Sequence, residues 1–254
     1  MPITTTYDGA VAVARMEMPR GNAIGLAFLD AIAAALDEVE ASPARALVLT
    51  GHGKVFSTGL DLVEAYDFDR AALTTFVDRF DELFLRVFAF PKPLVAAVNG
   101  HAVAGGCILA TAADWRVMAP GPFVTGVTEA TLGIPFPIAA FEVVRWALPV
   151  ATWNETFMEG KRWSPDDALK MGMVNALAGE AGVVADAIER ARALAAIEPD
   201  AARSIKLELK RDTLAAIASR KVETRARFVD AWFGPVAREK IGRVRDELLA
   251  RKKG

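Results

Sequence analysis

The chain has 254 residues, with 30 Lys and Arg against 32 Asp and Glu and a formal net charge of −2. One Cys and two His exclude an intramolecular disulfide framework and leave too few ligands for an ordinary zinc site, and the near-neutral charge argues against an electrostatic nucleic-acid binder. A hydrophobic fraction of 53% with 24% charged residues excludes disorder and fits one large packed core.

In chain order, residues 3–7 and 11–18 flank Asp8-Gly9 and read as a hairpin. Residues 26–40 have helical periodicity, and 46–50 form a short apolar strand ending at Gly51. Residues 69–90 form a long amphipathic helix that stops before Pro91-Lys-Pro93. Residues 94–98 are the next buried strand, 105–113 a small-residue buried helix, and 116–119 and 123–126 further strands. Beyond about residue 136 helices dominate: 139–148, 151–159, 165–171, 183–197, 201–219, 223–233 and 236–251, with one strand at 174–177. The expectation is an α/β core over residues 1–195 and a helical C-terminal region over 196–254. The apolar run 94–113 is broken by Asn99, His101 and several Gly and Thr, so it reads as core and no membrane partner is expected. The start lacks a basic stretch followed by an apolar one, so a cytoplasmic location is expected.

Several catalytic patterns fail. Gly51-His-Gly-Lys54 has the wrong spacing for a phosphate-binding loop, and Ser57 has Val55 two residues before it where a nucleophile elbow needs glycine. His52 reads as a solvated loop residue, His101 as a hydrogen-bonded structural one, and Cys107 as a buried inert thiol. Two segments carry more. In Phe56-Ser-Thr-Gly-Leu-Asp-Leu62 a central glycine lets a ligand approach backbone, and the N–H groups from Leu60 onward can face an oxygen. In Asn99-Gly-His-Ala-Val-Ala-Gly-Gly-Cys107 a strand turns into a helix whose first N–H groups, at Gly105 and Gly106, are bare donors. Donors from two such loops can form an oxyanion hole.

Taken in order, these segments resemble the crotonase (enoyl-CoA hydratase/isomerase) superfamily. Residues 56–62 resemble its Phe-Ser-Ala-Gly-x-Asp-Leu signature, and 92–107 its second signature. Pro19-x-x-Asn22-Ala23 resembles its early element, and Glu129-Ala-Thr-Leu-Gly-Ile134 its catalytic loop. The resemblance implies an α/β spiral of ββα turns with a helical C-terminal trimerisation region, assembled as a homotrimer or a dimer of trimers. It implies an acyl-CoA thioester substrate and no separate cofactor or metal. It makes the N–H groups of Leu60 and Gly105 the oxyanion-hole donors and Glu129 the catalytic acid/base. Backbone around Thr58 and Leu62 matches the adenine-contacting stretch, and Gly59, Gly106 and Ile108 belong to the substrate-binding set.

The carboxylates narrow the reaction. Hydratases of the family carry two glutamates; here the first position is Ile108 and only the second, Glu129, is kept. Moving a double bond from C3 to C2 needs one group, which takes a proton at C2 and returns it at C4. Thr128-Glu129-x-x-Leu132-Gly133-Ile134 also resembles the segment of Δ3,Δ2-enoyl-CoA isomerases. An isomerase is therefore expected ahead of hydration, hydrolysis or a non-catalytic acyl-CoA binder. Asp61 is expected to tie the turn after Gly59, and Glu64 to sit on an exposed helix face. Lys54 is the first candidate cation for the CoA phosphates, with Arg225, Arg227, Arg238 and Lys240 behind it. Phe68, Phe84, Phe88, Phe136 and Trp146 are candidates for the acyl wall.

Overall fold

The computed structural model describes residues 2–251. Strands β1 (Ile3–Asp8) and β2 (Val11–Met16) form the expected antiparallel hairpin, turning at Gly9 with φ 58°. A tight turn α1 (Pro19–Asn22) and helix α2 (Leu26–Ala41) follow. Three turns of a spiral then repeat one plan: a largely buried strand, a short second strand, and helix. They are β3 (Ala46–Thr50), β4 (Val55–Ser57), α3 (Leu62–Ala65) and α4 (Arg70–Phe88); β5 (Leu94–Val98), β6 (His101–Val103) and α5 (Gly105–Ala112); and β7 (Trp115–Met118), β8 (Thr125–Gly126), α6 (Glu129–Leu132) and α7 (Ile138–Ala147). The chain continues through α8 (Pro165–Lys170), β9 (Ala176–Leu177), α9 (Val183–Ala195), α10 (Pro199–Trp232) and α11 (Pro235–Arg251).

The first strand of each turn joins a six-stranded sheet ordered β1-β2-β3-β5-β7-β9, and the second a parallel three-stranded sheet ordered β4-β6-β8. This is the expected spiral of ββα turns. Strands of the large sheet alternate their side chains between two cores. Val48, Val95 and Ala97 face Ala187 and Ala191 of α9, whereas Leu47, Leu49 and Val98 join the main core with Phe84, Phe88 and Leu109. Alanines on α9 let that helix lie close on the sheet, and Gly105 and Gly106 do the same for α5, whose eight residues are all buried.

Two helical segments differ from expectation. The two helices read at 201–219 and 223–233 are one, α10, because Arg220-Lys-Val222 contains no breaker and the buried stripe Lys210, Ile217, Thr224, spaced by seven, continues in steps of four to Phe228 and Trp232. The helix expected over 151–159 is instead a 3₁₀ turn, Val150–Thr152, and a π turn, Asn154–Met158. Strands β4 and β6 were not foreseen; three residues carry too little alternation to be read. Among the described residues, no helix is long and apolar enough to cross a membrane.

The C-terminal helices pack on their own core, α10 against α4 and α7, and α11 against α3 and α6. A buried ion cluster fastens α10. Asp114 accepts from Lys206 Nζ at 2.7 Å and Lys210 Nζ at 2.8 Å, and also from the Leu94 N–H at 2.9 Å. Lys210 donates to the Phe88 carbonyl at 2.7 Å and lies over the Phe88 ring. Burial pushes the Lys210 ammonium down to about 8, against the pull of Asp114. Removing one member of such a cluster strands the others without charge compensation. Asp114→Ala is expected to lose about 3–5 kcal/mol of stability in chemical denaturation; a loss under about 1 kcal/mol would contradict this role.

Candidate active site

The two glycine-bearing loops meet at a cavity of about 770 Å³. Its wall brings together Thr58, Leu60, Leu62, Gly105, Ile108 and Glu129. The first loop is set by its pairing to the turn after α1. Ile24 N–H donates to the Gly59 carbonyl at 2.8 Å, and Asp61 N–H to the Ile24 carbonyl at 3.0 Å. That bridge uses the groups on either side of Leu60, so the Leu60 N–H faces the other way. Asn22 braces the loop from below: its amide donates to the Phe56 carbonyl at 2.9 Å, and its own carbonyl accepts from Ser57 Oγ at 2.8 Å.

The second loop turns sharply at Ala104, a non-glycine residue at φ 50°, ψ −125°. Its N–H donates to the Gly126 carbonyl at 2.8 Å and its carbonyl accepts from Ile108 N–H at 3.1 Å. Helix α5 thereby starts with the Gly105 N–H unused. Among the described hydrogen bonds, neither Leu60 nor Gly105 donates its N–H. The two backbones are close. A Cβ at Gly59 would lie 2.9 Å from Gly105 N and 2.8 Å from the Val103 carbonyl, and one at Gly105 would lie 3.5 Å from Leu60 N. Two free N–H groups side by side at a helix start are the arrangement that stabilises a developing oxyanion.

Glu129 is the first residue of α6, and its side chain is only 8% exposed. Burial pushes its carboxyl up to about 7, partly opposed by the N–H groups of Glu129 and Thr128. Its Oε2 has no hydrogen-bond partner. Such a carboxyl is a stronger base than an exposed one and is free to exchange a proton with a ligand. Ile108 on α5 is buried and apolar on the same cavity. Cys107 behind it is fully buried, with its thiol pushed up to about 12 by burial.

The other candidates divide. Gly59 and Gly106 do not line the cavity; they permit the close approach, since a Cβ at Gly106 would overlap the Ser57 carbonyl. Lys54 is exposed and off the cavity wall; the wall's cations are Arg20 and Arg162, which the sequence reading passed over. Arg225 pairs with Asp78 at 2.5 Å, Arg227 with Glu223, and Lys240 reaches the Thr131 carbonyl at 3.0 Å. Asp61 ties its turn as expected, capping α3 at Val63 and Glu64 N–H and accepting from Arg20 Nε at 2.9 Å. Glu64 is not on an exposed face: it is half-buried and accepts from Leu26 N–H at 3.2 Å, capping α2. His101 is structural, its Nδ1 accepting from Val124 N–H at 3.2 Å, and His52 is exposed beside Glu17.

The apolar wall also differs. Phe76, Phe80 and Phe228 line the cavity, with Val244, Leu248 and Leu249 of α11. Phe84 and Phe88 are on the same helix as Phe76 and Phe80 but lie in the core, and Trp146 meets Phe88 edge-on. Spacing of four along α4 groups these rings without saying which end faces a void. Among the described residues, no three His, Cys, Asp or Glu side chains gather as a metal-binding group.

A family model described as Enoyl-CoA hydratase/isomerase matches residues 6–235. The Mus musculus protein Enoyl-CoA delta isomerase 1, mitochondrial, is 32% identical over 181 residues, covering 70% of this chain and 63% of that protein. The Bos taurus Enoyl-CoA hydratase domain-containing protein 2, mitochondrial, is 34% identical over 189 residues, covering 73% of this chain and 64% of that protein. The chain thus spans a little under two thirds of the length of each. The crystal structure of human mitochondrial delta3-delta2-enoyl-CoA isomerase is similar with a TM-score of 0.92 at 27% identity, over 100% of both chains.

The raised pKa of Glu129 has a consequence for stability. Between its ordinary value, 4.5, and about 7, the unfolded chain has released a proton that the folded chain still holds. Stability therefore falls as pH rises through this window, by roughly 3 kcal/mol for a shift of this size. Glu129→Gln is expected to reduce the fall in urea-denaturation stability between about pH 5 and pH 8. Asp81, also pushed up to about 7 by burial, contributes to the slope that remains. An unchanged slope in the variant would contradict the buried, protonated carboxyl.

Proposed function

We propose, from the premise that this chain belongs to the enoyl-CoA hydratase/isomerase (crotonase) family, that it shifts a double bond from C3 to C2 of an enoyl-CoA. The observation that carries the reading is Glu129: a buried carboxyl with one unpartnered oxygen, on a cavity whose counterpart position is Ile108. The likeness to delta isomerases supports it.

In this reading the thioester oxygen accepts from the N–H groups of Leu60 and Gly105. The Glu129 carboxylate takes a proton from C2, the dienolate is held by the two donors, and the protonated carboxyl returns the proton at C4. The apolar wall keeps water from the dienolate and keeps the carboxyl basic. Asp61 takes no part, because its oxygens are committed to Arg20 and to two N–H groups. Arg20 and Arg162, on the cavity wall with Thr58 and Leu62, replace Lys54 as the candidate cations for the CoA phosphates. The assembly implied for the active protein is a homotrimer or a dimer of trimers. Hydration is the second reading, favoured by the relative named for a hydratase domain. It requires a group that positions water, and at Ile108 there is none.

Purified protein is expected to convert a 3-enoyl-CoA to the 2-enoyl-CoA, with kcat/KM rising with pH through about 7 as Glu129 ionises. Glu129→Gln is expected to lower kcat about 10³-fold. Full activity in that variant, or faster formation of a 3-hydroxyacyl-CoA than of the isomer, would overturn the assignment.

A further inference from the structure

Helix α11 contributes Val244, Leu248 and Leu249 to the apolar wall of the cavity. The helix is an unpromising roof on its own sequence. It is rich in charged residues and carries a glycine, Gly242, in its interior, which costs helix stability. Ala237 and Ile241 seat it in the main core, and one aromatic ring clamps it beside them. Tyr66, at the C-terminal end of α3, has the Arg238 guanidinium 3.5 Å from its ring centroid and that of Arg245 at 4.6 Å. These two arginines are two turns apart on α11, and Gly242 lies between them. A Cβ at Gly242 would come within 3.1 Å of the Tyr66 hydroxyl and 3.4 Å of the ring edge, so the glycine is what lets the ring lie against the helix. Arg238 Nη1 also donates to the Tyr66 carbonyl at 2.9 Å, and Arg245 lies 3.6 Å from Asp67.

The anchor has a bearing on the site because of where it stands. α3 opens at Leu62, directly after Asp61 and Leu60, and supplies Leu62 and Val63 to the cavity wall. On its other side α11 holds the glutamate segment, through Lys240 Nζ and the Thr131 carbonyl at 3.0 Å. The roof is thus bolted to the segment after Leu60 and to the helix that begins at Glu129.

We infer that Tyr66 is a positioning residue for acyl-chain selection: by clamping Arg238 and Arg245 it fixes Val244, Leu248 and Leu249 of α11 over the far end of a long apolar acyl chain. The inference rests on the reading of the cavity as an acyl-CoA site. A short chain ends near Glu129 and gains nothing from the roof. A long chain gains affinity with each methylene covered, by up to about fourfold per buried methylene.

Titration calorimetry with hexanoyl-CoA and dodecanoyl-CoA, which have no double bond to move, tests this without turnover. The wild type is expected to bind dodecanoyl-CoA the more tightly. Tyr66→Ala is expected to weaken dodecanoyl-CoA about tenfold and hexanoyl-CoA by less than about twofold. Tyr66→Phe keeps the ring under both guanidinium groups and is expected to restore both affinities to within about twofold. Gly242→Ala, which improves helix propensity while crowding the ring, is expected to weaken dodecanoyl-CoA selectively. In turnover, Tyr66→Ala is expected to raise KM for a long 3-enoyl-CoA and leave kcat for a short one unchanged. Equal weakening of both thioesters in Tyr66→Ala, or no weakening of either, would overturn the clamp and leave the acyl-CoA reading standing. If Tyr66→Ala does not fold, unchanged dodecanoyl-CoA affinity in Gly242→Ala overturns it. No binding of either thioester by the wild type would instead sink the acyl-CoA reading and the clamp with it.

Discussion

The site depends on how closely two stretches of backbone pass one another. Past Gly59 and past Gly105 the chain runs with no side chain between, and a Cβ at either glycine would meet backbone or Ile24 at 2.8 Å. Only that approach brings two unused N–H groups to one spot. It needs backbone in uncommon regions, with φ 84° at Gly59 and φ 50° at Ala104. A non-glycine residue there costs about 1–3 kcal/mol. The small sheet β4-β6-β8 holds the geometry, through its parallel pairing and the bond from Ala104 N–H to Gly126. Asn22, itself at φ 57°, ties the first loop from the opposite side. The early Pro19-x-x-Asn22 element and the two glycine-rich segments are therefore parts of one mechanical unit, separated by more than eighty residues of sequence and joined by the spiral.

Burial alone does not make a carboxyl useful. Asp81 and Glu129 are both buried and both pushed up to about 7 by desolvation. Asp81, however, accepts from the Ala139 N–H at 3.1 Å, capping α7, and although its other oxygen is also unpartnered it takes no part in lining the cavity. Glu129 has an unpartnered oxygen on the cavity that also holds the two free donors. The difference is placement: Glu129 stands on a four-residue helix between Gly126 and Gly133, both with positive φ, so its segment can bend into the void. The same apolar surroundings that raise its pKa would accept an acyl chain, so basicity and substrate class have one physical source.

Much of this was legible in the sequence, because strands such as 46–50 and 94–98 are short apolar runs closed by turn residues, and because two glycine-bearing turns after such strands are unusual enough to mark a site. What could not be read were contacts across long separations. Lys54 looks well placed beside the first signature, but it belongs to a turn whose side chains face solvent. Arg20, forty-one residues from Asp61, reaches the cavity only because the hairpin and β4 converge. Phe76 and Phe84 are indistinguishable by period, and only the packing around α4 decides which of them borders a void. Glu64 looked like a surface charge because nothing in its own helix shows the N–H of Leu26 waiting for it.

The proposed chemistry depends on where a thioester oxygen sits. A crystal structure with a saturated acyl-CoA measures this directly. The oxygen is expected about 2.7–3.1 Å from the nitrogens of both Leu60 and Gly105, with C2 facing the Glu129 carboxyl. An acyl-CoA bound with its thioester oxygen away from either nitrogen, or with C2 out of reach of Glu129, would contradict it.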